Sequence, residues 1–209
     1  MTEITSNDLI AAFDAVADTM RANRDALCAL DGRIGDADHG IAMDVGFTAV
    51  RDALATLGDD ATPTDVFNTT ARSFLKAVGA SCGPLYATAF MRAGAAFKGK
   101  PALTDADAPA LVVAMAEGIA HRGKAARSDK TMLDAWLPAA DAAGKAAGGL
   151  FGEVLHAASE AAQNGAEATI DMQAKLGRAA RLGARSVGHK DPGAASTALL
   201  LRAFAGAFG

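Results

Sequence analysis

Between positions 31 and 39 the chain carries three carboxylates, Asp31, Asp36 and Asp38, and a histidine, His39. Gly32, Gly35 and Gly40 are spaced among them. Carboxylates this close repel one another unless a cation sits between them. Mg²⁺ takes oxygen ligands and is commonly held by a few carboxylates together with phosphate oxygens. Glycine lets backbone approach a ligand closely and reach positive φ. The segment therefore suits a divalent cation with a phosphate group. It equally suits a solvated acidic turn, because Asp and Gly are common turn residues.

Four further segments concentrate polar or small residues. Gly79-Ala80-Ser81-Cys82-Gly83-Pro84 stands immediately before a helical stretch. A helix N-terminus there would offer free N–H groups to a phosphate, although many tight interhelical turns look the same. In Ser128-Asp129-Lys130-Thr131-Met132-Leu133-Asp134, the polar residues can serve a nucleotide or cap the next helix. Lys175-Leu176-Gly177-Arg178 is followed by Arg181 and Arg185. Arginine suits bidentate phosphate contacts, and basic residues also complement a helix C-terminus. Gly188-His189-Lys190-Asp191-Pro192-Gly193-Ala194 contains a ready turn sequence. No Walker A sequence, GxSxG or strand-borne GxGxxG is present, which argues against a P-loop or Rossmann nucleotide site.

These segments lie between stretches with helical periodicity. Leu9, Ile10, Phe13, Val16, Ala17, Met20, Leu27 and Leu30 form one apolar stripe. Thr5 and Asp8 form a capping box at its start. The spacing predicts further helices over 41–54, 63–78, 85–97, 107–122, 131–147, 151–164, 166–181 and 194–208, with Pro63 in a first turn. Nothing reads as an alternating strand, and no linker divides the chain. One all-α domain over 1–209, a helical bundle, is expected. Alternate connections of an up-and-down bundle fall at the same end, so several polar gaps can converge on one site.

Composition narrows the function classes. Hydrophobic residues make up 51% of the chain but aromatics only 5%, which suits closely packed Ala-rich helices. A net charge of −4, with no basic run carrying interleaved aromatics, gives no sign of nucleic-acid binding. No apolar run reaches the roughly 18–20 residues of a membrane span, so no membrane role is expected. Cys28 and Cys82 form no CxxC pair, and the first residues do not resemble a signal peptide; the expected location is the cytoplasm.

The motifs occur in a recognisable order: Ile34-Gly35-Asp36-Ala37-Asp38-His39-Gly40, Gly83-Pro84-Leu85-Tyr86, Asp129-Lys130-Thr131-Met132, Thr169 through Arg178, and Gly188 through Ala194. In these the chain resembles the L subunit of dihydroxyacetone kinase, which also occurs as the C-terminal nucleotide-binding domain of single-chain dihydroxyacetone kinases. The resemblance implies an eight-helix antiparallel up-and-down barrel with ADP or ATP bound at one end. It implies two Mg²⁺ ions held by Asp31, Asp36 and Asp38. The nucleotide contacts it implies are His39, Gly40, Gly79, Ala80, Ser81, Cys82, Thr131, Met132, Arg178, Asp191, Pro192 and Gly193. Two positions depart from the pattern. Cys82 stands where a hydroxyl residue is usual, and Ser128 where Gly is common.

The resemblance also implies an activity. A phosphoryl group passes from the nucleotide to dihydroxyacetone held on a separate K subunit, and no covalent nucleophile is needed on this chain. ADP then acts as a cofactor rephosphorylated by a phosphotransferase-system M subunit. An ATP-consuming kinase for a related ketose such as erythrulose, a non-catalytic nucleotide-binding regulator, and a homodimer are left open by the sequence.

Overall fold

The computed structural model describes residues 3–79 and 81–209. Ala80, expected in the phosphate loop, lies outside the described residues. The protein is all-α apart from a two-residue antiparallel ladder in which Glu3 and Ile4 pair with Thr104 and Leu103. That ladder is too short for alternation to show in the sequence.

Helix α1 (Ser6–Ala22) opens with the expected box. The Asp8 N–H donates to the Thr5 hydroxyl (3.3 Å), and the Asp8 carboxylate accepts from the Thr5 N–H (2.8 Å). The apolar stripe that continues to Leu30 is not one helix. It breaks at Asn23, whose side-chain amide donates to the Thr19 carbonyl, and α2 (Arg24–Ile34) begins beyond it. The remaining helices are α3 (His39–Leu54), α4 (Pro63–Ala77), α5 (Cys82–Ala96), α6 (Ala108–Gly123), α7 (Leu133–Lys145), α8 (Phe151–Ala168) and α9 (Pro192–Gly206). Pro63 occupies the first turn of α4, where its missing N–H costs no intrahelical bond, and Thr62 with Asp65 caps it.

The helix expected over 166–181 is absent as such. After Ala168 the chain runs through short 3₁₀ turns at Thr169–Asp171 and Ala179–Ser186, with a kink at Gly183. Backbone groups that would form the helix bond elsewhere. The Lys175 N–H donates to the Asp129 carbonyl, and the Ala174 N–H to the Ser186 hydroxyl.

Helix α1 packs on α3, and each helix from α3 onward packs on the next, with α9 returning to α1. Helix α2 lies against α3 and α9. The core has two characters. Between α1, α3, α4 and α5 it is aromatic: Phe13 meets Phe67 and Phe90 edge-on, and Phe47, Phe74, Tyr86 and Phe90 form a second cluster. Such pairs add about 0.5–1.5 kcal/mol beyond area burial. Between α7 and α8 it is built largely on small buried residues, Ala139, Ala143, Ala158 and Ala162. There the helices approach so closely that a Cβ at Gly165 of α8 would collide with the Asp134 carbonyl of α7. Among the described residues, no helix is long and apolar enough to cross a membrane.

Candidate functional site

A cavity of about 490 Å³ opens at one end of the bundle. Helices α3, α5, α7 and α9 all begin on it: His39, Cys82, Leu133 and Pro192 line its wall. Helices α2 and α6 end there. The positive dipole ends of four helices therefore face one space, the arrangement that favours an anion.

The acidic turn forms one wall. Asp31 lies in the last turn of α2 and is buried. One of its carboxylate oxygens accepts from the N–H groups of Asp38 (3.0 Å) and His39 (3.3 Å), so a residue of α2 supplies the cap that α3 lacks from its own Asp38. Gly35 to Asp38 then loops over this carboxylate, with Ala37 in the left-handed region. Gly40 seats α3, because a Cβ there would collide with the Arg24 carbonyl of α2. The result is that Asp31, Asp36 and Asp38 each bring one oxygen into a group within 4.8 Å of one another. In an octahedral Mg²⁺ site, opposite ligands at about 2.1 Å stand about 4.2 Å apart, so this donor set fits with small side-chain rotations. The crowding raises the Asp38 carboxyl above its usual range, first through partial desolvation and then through the charges of Asp36 and Asp31. His39 packs inward and its Nε2 meets the Ser196 hydroxyl at 2.8 Å. Burial lowers its pKa, against the pull of Asp31.

The opposite wall comes from residues 128–134 and 169–193. Asp134 organises the first of these segments, accepting from the N–H groups of Ser128 (2.5 Å) and Thr131 (2.9 Å). Lys130 is 1% exposed. Its ammonium donates to the carbonyls of Thr169 (2.5 Å), Met172 (3.0 Å) and His189 (2.5 Å). Asp191 caps α9, accepting from the Ala194 N–H at 2.7 Å, and its own N–H donates to the Thr169 hydroxyl. Desolvation pushes the Asp191 carboxyl up to about 7, with the Ala194 N–H and Lys130 acting the other way. Arg178 reaches across the mouth and pairs with Asp36, joining the two walls.

Ala42, Leu85, Ile119, Met132 and Leu133 give the cavity an apolar floor. Beneath it, Tyr86 is buried among aromatics and its hydroxyl meets that of Thr197 at 3.3 Å. Cys82 is buried, and burial pushes its thiol up to about 11, so it stays protonated at neutral pH.

Of the residues expected at the site, Asp31, Asp36, Asp38, His39, Ser81, Cys82, Thr131, Met132, Arg178, Asp191, Pro192 and Gly193 all line the cavity. Gly40 and Gly79 do not line it. Gly40 sits behind the wall as a packing residue, and Gly79 stands in open space. Sequence reasoning did not single out Ile119, Arg122 or Gly123, which also line the cavity, and it named Leu85 only within the Gly83-Pro84-Leu85-Tyr86 motif. It also left Lys130 undecided between ligand contact and capping.

Three comparisons with known proteins bear on this geometry. The model of the DAK2 domain matches residues 33–206. The ADP-binding subunit DhaL of the PEP-dependent dihydroxyacetone kinase of Escherichia coli (strain K12) is 37% identical over 190 residues, 90% of each chain. The corresponding subunit of kinase 1 of Listeria innocua is 40% identical over 185 residues, 88% of this chain and 87% of that one. Among solved structures, the dihydroxyacetone kinase from C. freundii in complex with AMP-PNP and Mg²⁺ shares the fold, with a TM-score of 0.73 at 24% identity. That match covers 99% of this chain and 35% of the larger one.

Proposed function

We propose, since the chain belongs to the DAK2 domain family, that it is the ADP-binding subunit of a dihydroxyacetone kinase. It passes a phosphoryl group from bound nucleotide to dihydroxyacetone held on a separate K subunit. The observation that carries this reading is the meeting of four helix N-termini with three clustered carboxylates in one cavity. Helix N-termini favour phosphate. Clustered carboxylates reject phosphate unless a cation stands between them, so the two features together suit a metal–phosphate ligand.

Asp31, Asp36 and Asp38 would hold two Mg²⁺ ions, which when bound neutralise negative charge on the phosphates and on the group in transfer. The remaining work falls to the chain's own groups. Backbone N–H groups at the start of α5 and the Gly193 N–H of α9 bind phosphate oxygens, and the Ser81 hydroxyl adds a donor. The Cys82 thiol is a weak donor, so this loop relies on backbone where a hydroxyl is more usual. Thr131 and Met132 hold the nucleoside against the apolar floor. Ser196 fixes the His39 ring facing the phosphates. Arg178 spans the mouth, and the Asp191-Pro192-Gly193 turn closes one side. In-line transfer requires positioning and charge neutralisation and no covalent nucleophile. The similarity to PEP-dependent subunits supports ADP as a resident cofactor, recharged by a phosphotransferase-system M subunit.

The test is a reconstituted assay with K and M subunits, the general phosphotransferase proteins and phosphoenolpyruvate. Dihydroxyacetone phosphate should form many times over from sub-stoichiometric ADP. A requirement for one ATP per product would replace this reading with an ATP-consuming kinase. Nucleotide binding without transfer would leave a regulator.

A further inference from the structure

We infer that Lys130 is a positioning residue, whose ammonium clasps three backbone carbonyls and so holds the loop of residues 169–191 in the shape that presents Arg178 and the Asp191-Pro192-Gly193 turn to the cavity. This rests on the nucleotide reading of that cavity and adds a residue to it. A lysine beside a phosphate site is ordinarily read as a phosphate contact, and the geometry here opposes that reading. An ammonium has three protons and no acceptor capacity. All three protons of Lys130 are matched by carbonyls, those of Thr169, Met172 and His189, at 2.5, 3.0 and 2.5 Å. None remains for a ligand while those bonds stand.

The three acceptors are chosen tellingly along the chain. Thr169 and Met172 open the loop and His189 closes it, so one cation joins its two ends. Arg178 lies between them, and Asp191 follows His189 by two positions. The rest of the loop has little helical order of its own. Gly177, Gly183 and Gly188 all have positive φ, and the cross-links besides the clasp are scattered single contacts: Gly188 N–H to the Ile170 carbonyl, Ala174 N–H to the Ser186 hydroxyl, Asp191 N–H to the Thr169 hydroxyl, and Lys175 to Asp129. Lys130 itself sits at φ +60° and Ser128 at φ +65°, conformations that side-chain-bearing residues seldom adopt. Asp134 fixes that turn through the Ser128 and Thr131 N–H groups. The strained turn directs the lysine inward, under the loop. Burying an ammonium without a direct carboxylate partner is costly unless every proton is satisfied. Here the protons are satisfied, and Asp191 and Asp171 add a favourable field.

The experiment is amide hydrogen exchange on the full chain without nucleotide, for wild type and Lys130→Met, followed by the rate of ADP release in Mg²⁺. Losing bonds to a charged group should raise exchange about 10-fold or more at amides within 169–191, while amides of α4 and α5 hold their wild-type rates. ADP release should quicken by a similar factor. If the variant weakens ADP binding but leaves exchange in 169–191 unchanged, Lys130 contacts the ligand directly and the inference is wrong. Exchange raised uniformly through all helices would make Lys130 a general stabilising residue, and would equally overturn it. Should Lys130→Met not fold, Lys130→Arg carries the same test. Its planar fork keeps the charge but cannot reproduce a three-pronged ammonium, so exchange confined to 169–191 is again expected. A wild-type protein that binds no ADP would refute the nucleotide reading while the exchange map still decided the clasp.

Discussion

On the acidic wall of the cavity, Asp36 and Asp38 are exposed and stand close to a third carboxylate, whereas on the facing wall Lys130 and Asp191 are buried with hydrogen bonds to backbone. The acidic wall keeps its charges near one another, and its Asp38 carboxyl is raised first by partial desolvation and then by the charges of Asp36 and Asp31. The facing wall uses its charges to shape loops and cap a helix. The contrast teaches where each kind of charge acts. Residues left in mutual repulsion at a solvent-filled mouth are arranged for a ligand. Residues whose every donor is matched by a carbonyl are arranged for the fold. Asp31 takes part in both, since one oxygen caps α3 while the carboxylate also belongs to the acidic group.

Substituting on the acidic wall should separate activity from stability most widely. Asp36→Ala should lower phosphoryl transfer in the reconstituted system by about 100-fold or more, as losing a preorganised electrostatic group at a transferring centre does. It should leave the thermal midpoint unchanged or slightly raised, because a like charge is removed. A variant that loses stability and activity together would erase the distinction between the walls.

The backbone under the same wall should respond in the opposite sense. Gly40→Ala places a methyl group against the Arg24 carbonyl. Overpacking of this kind costs about 1–3 kcal/mol, which for a domain of this size lowers the midpoint by about 2–4 °C per kcal/mol. Calorimetry on the purified variant checks it.

The facing wall predicts a pH dependence. The folded-state Asp191 carboxyl, pushed up to about 7, stands above the roughly 3.9 of an unfolded aspartate. The native protein therefore holds that proton more tightly than the unfolded chain does. The contribution is fully present below about pH 4, is lost as pH rises toward 7, and is flat above. Asp191→Asn keeps a cap acceptor for the Ala194 N–H and removes the titration. Denaturation curves at pH 5 and pH 8 should show the variant gaining on the wild type as pH rises. An unchanged difference would place the Asp191 carboxyl in the ordinary range.

The smallest effect belongs to the bridge between the walls. Arg178 and Asp36 are both well exposed, and exposed ion pairs contribute about 0–1 kcal/mol. Arg178→Ala should barely move the unfolding midpoint in urea while weakening ADP binding, and the reverse pattern would make Arg178 a structural residue.

Much of this was legible in the residues themselves. Thr5 with Asp8, and Pro63 after Thr62, mark helix starts through local chemistry, and the structure begins helices there. The carboxylate cluster was legible because three aspartates close in sequence stay close in space. The break at Asn23 was hidden, because the apolar stripe continues across it and Leu27 remains buried in α2. The loop after Ala168 misled for a different reason. Its Ala, Lys, Gln and Arg residues favour helix, but Lys130, 39 or more positions away, draws its carbonyls into bonds that a helix would forbid. The cap that Asp31 provides for α3 was equally invisible, since a neighbouring helix supplies it.

The most direct measurement is calorimetric titration of ADP into the wild type and Asp36→Ala, each with Mg²⁺ and with chelator. Binding by the wild type that depends on Mg²⁺, and that the variant loses, is the result expected. Equal binding with and without Mg²⁺, or binding unaffected by the substitution, would contradict the acidic wall as the metal site.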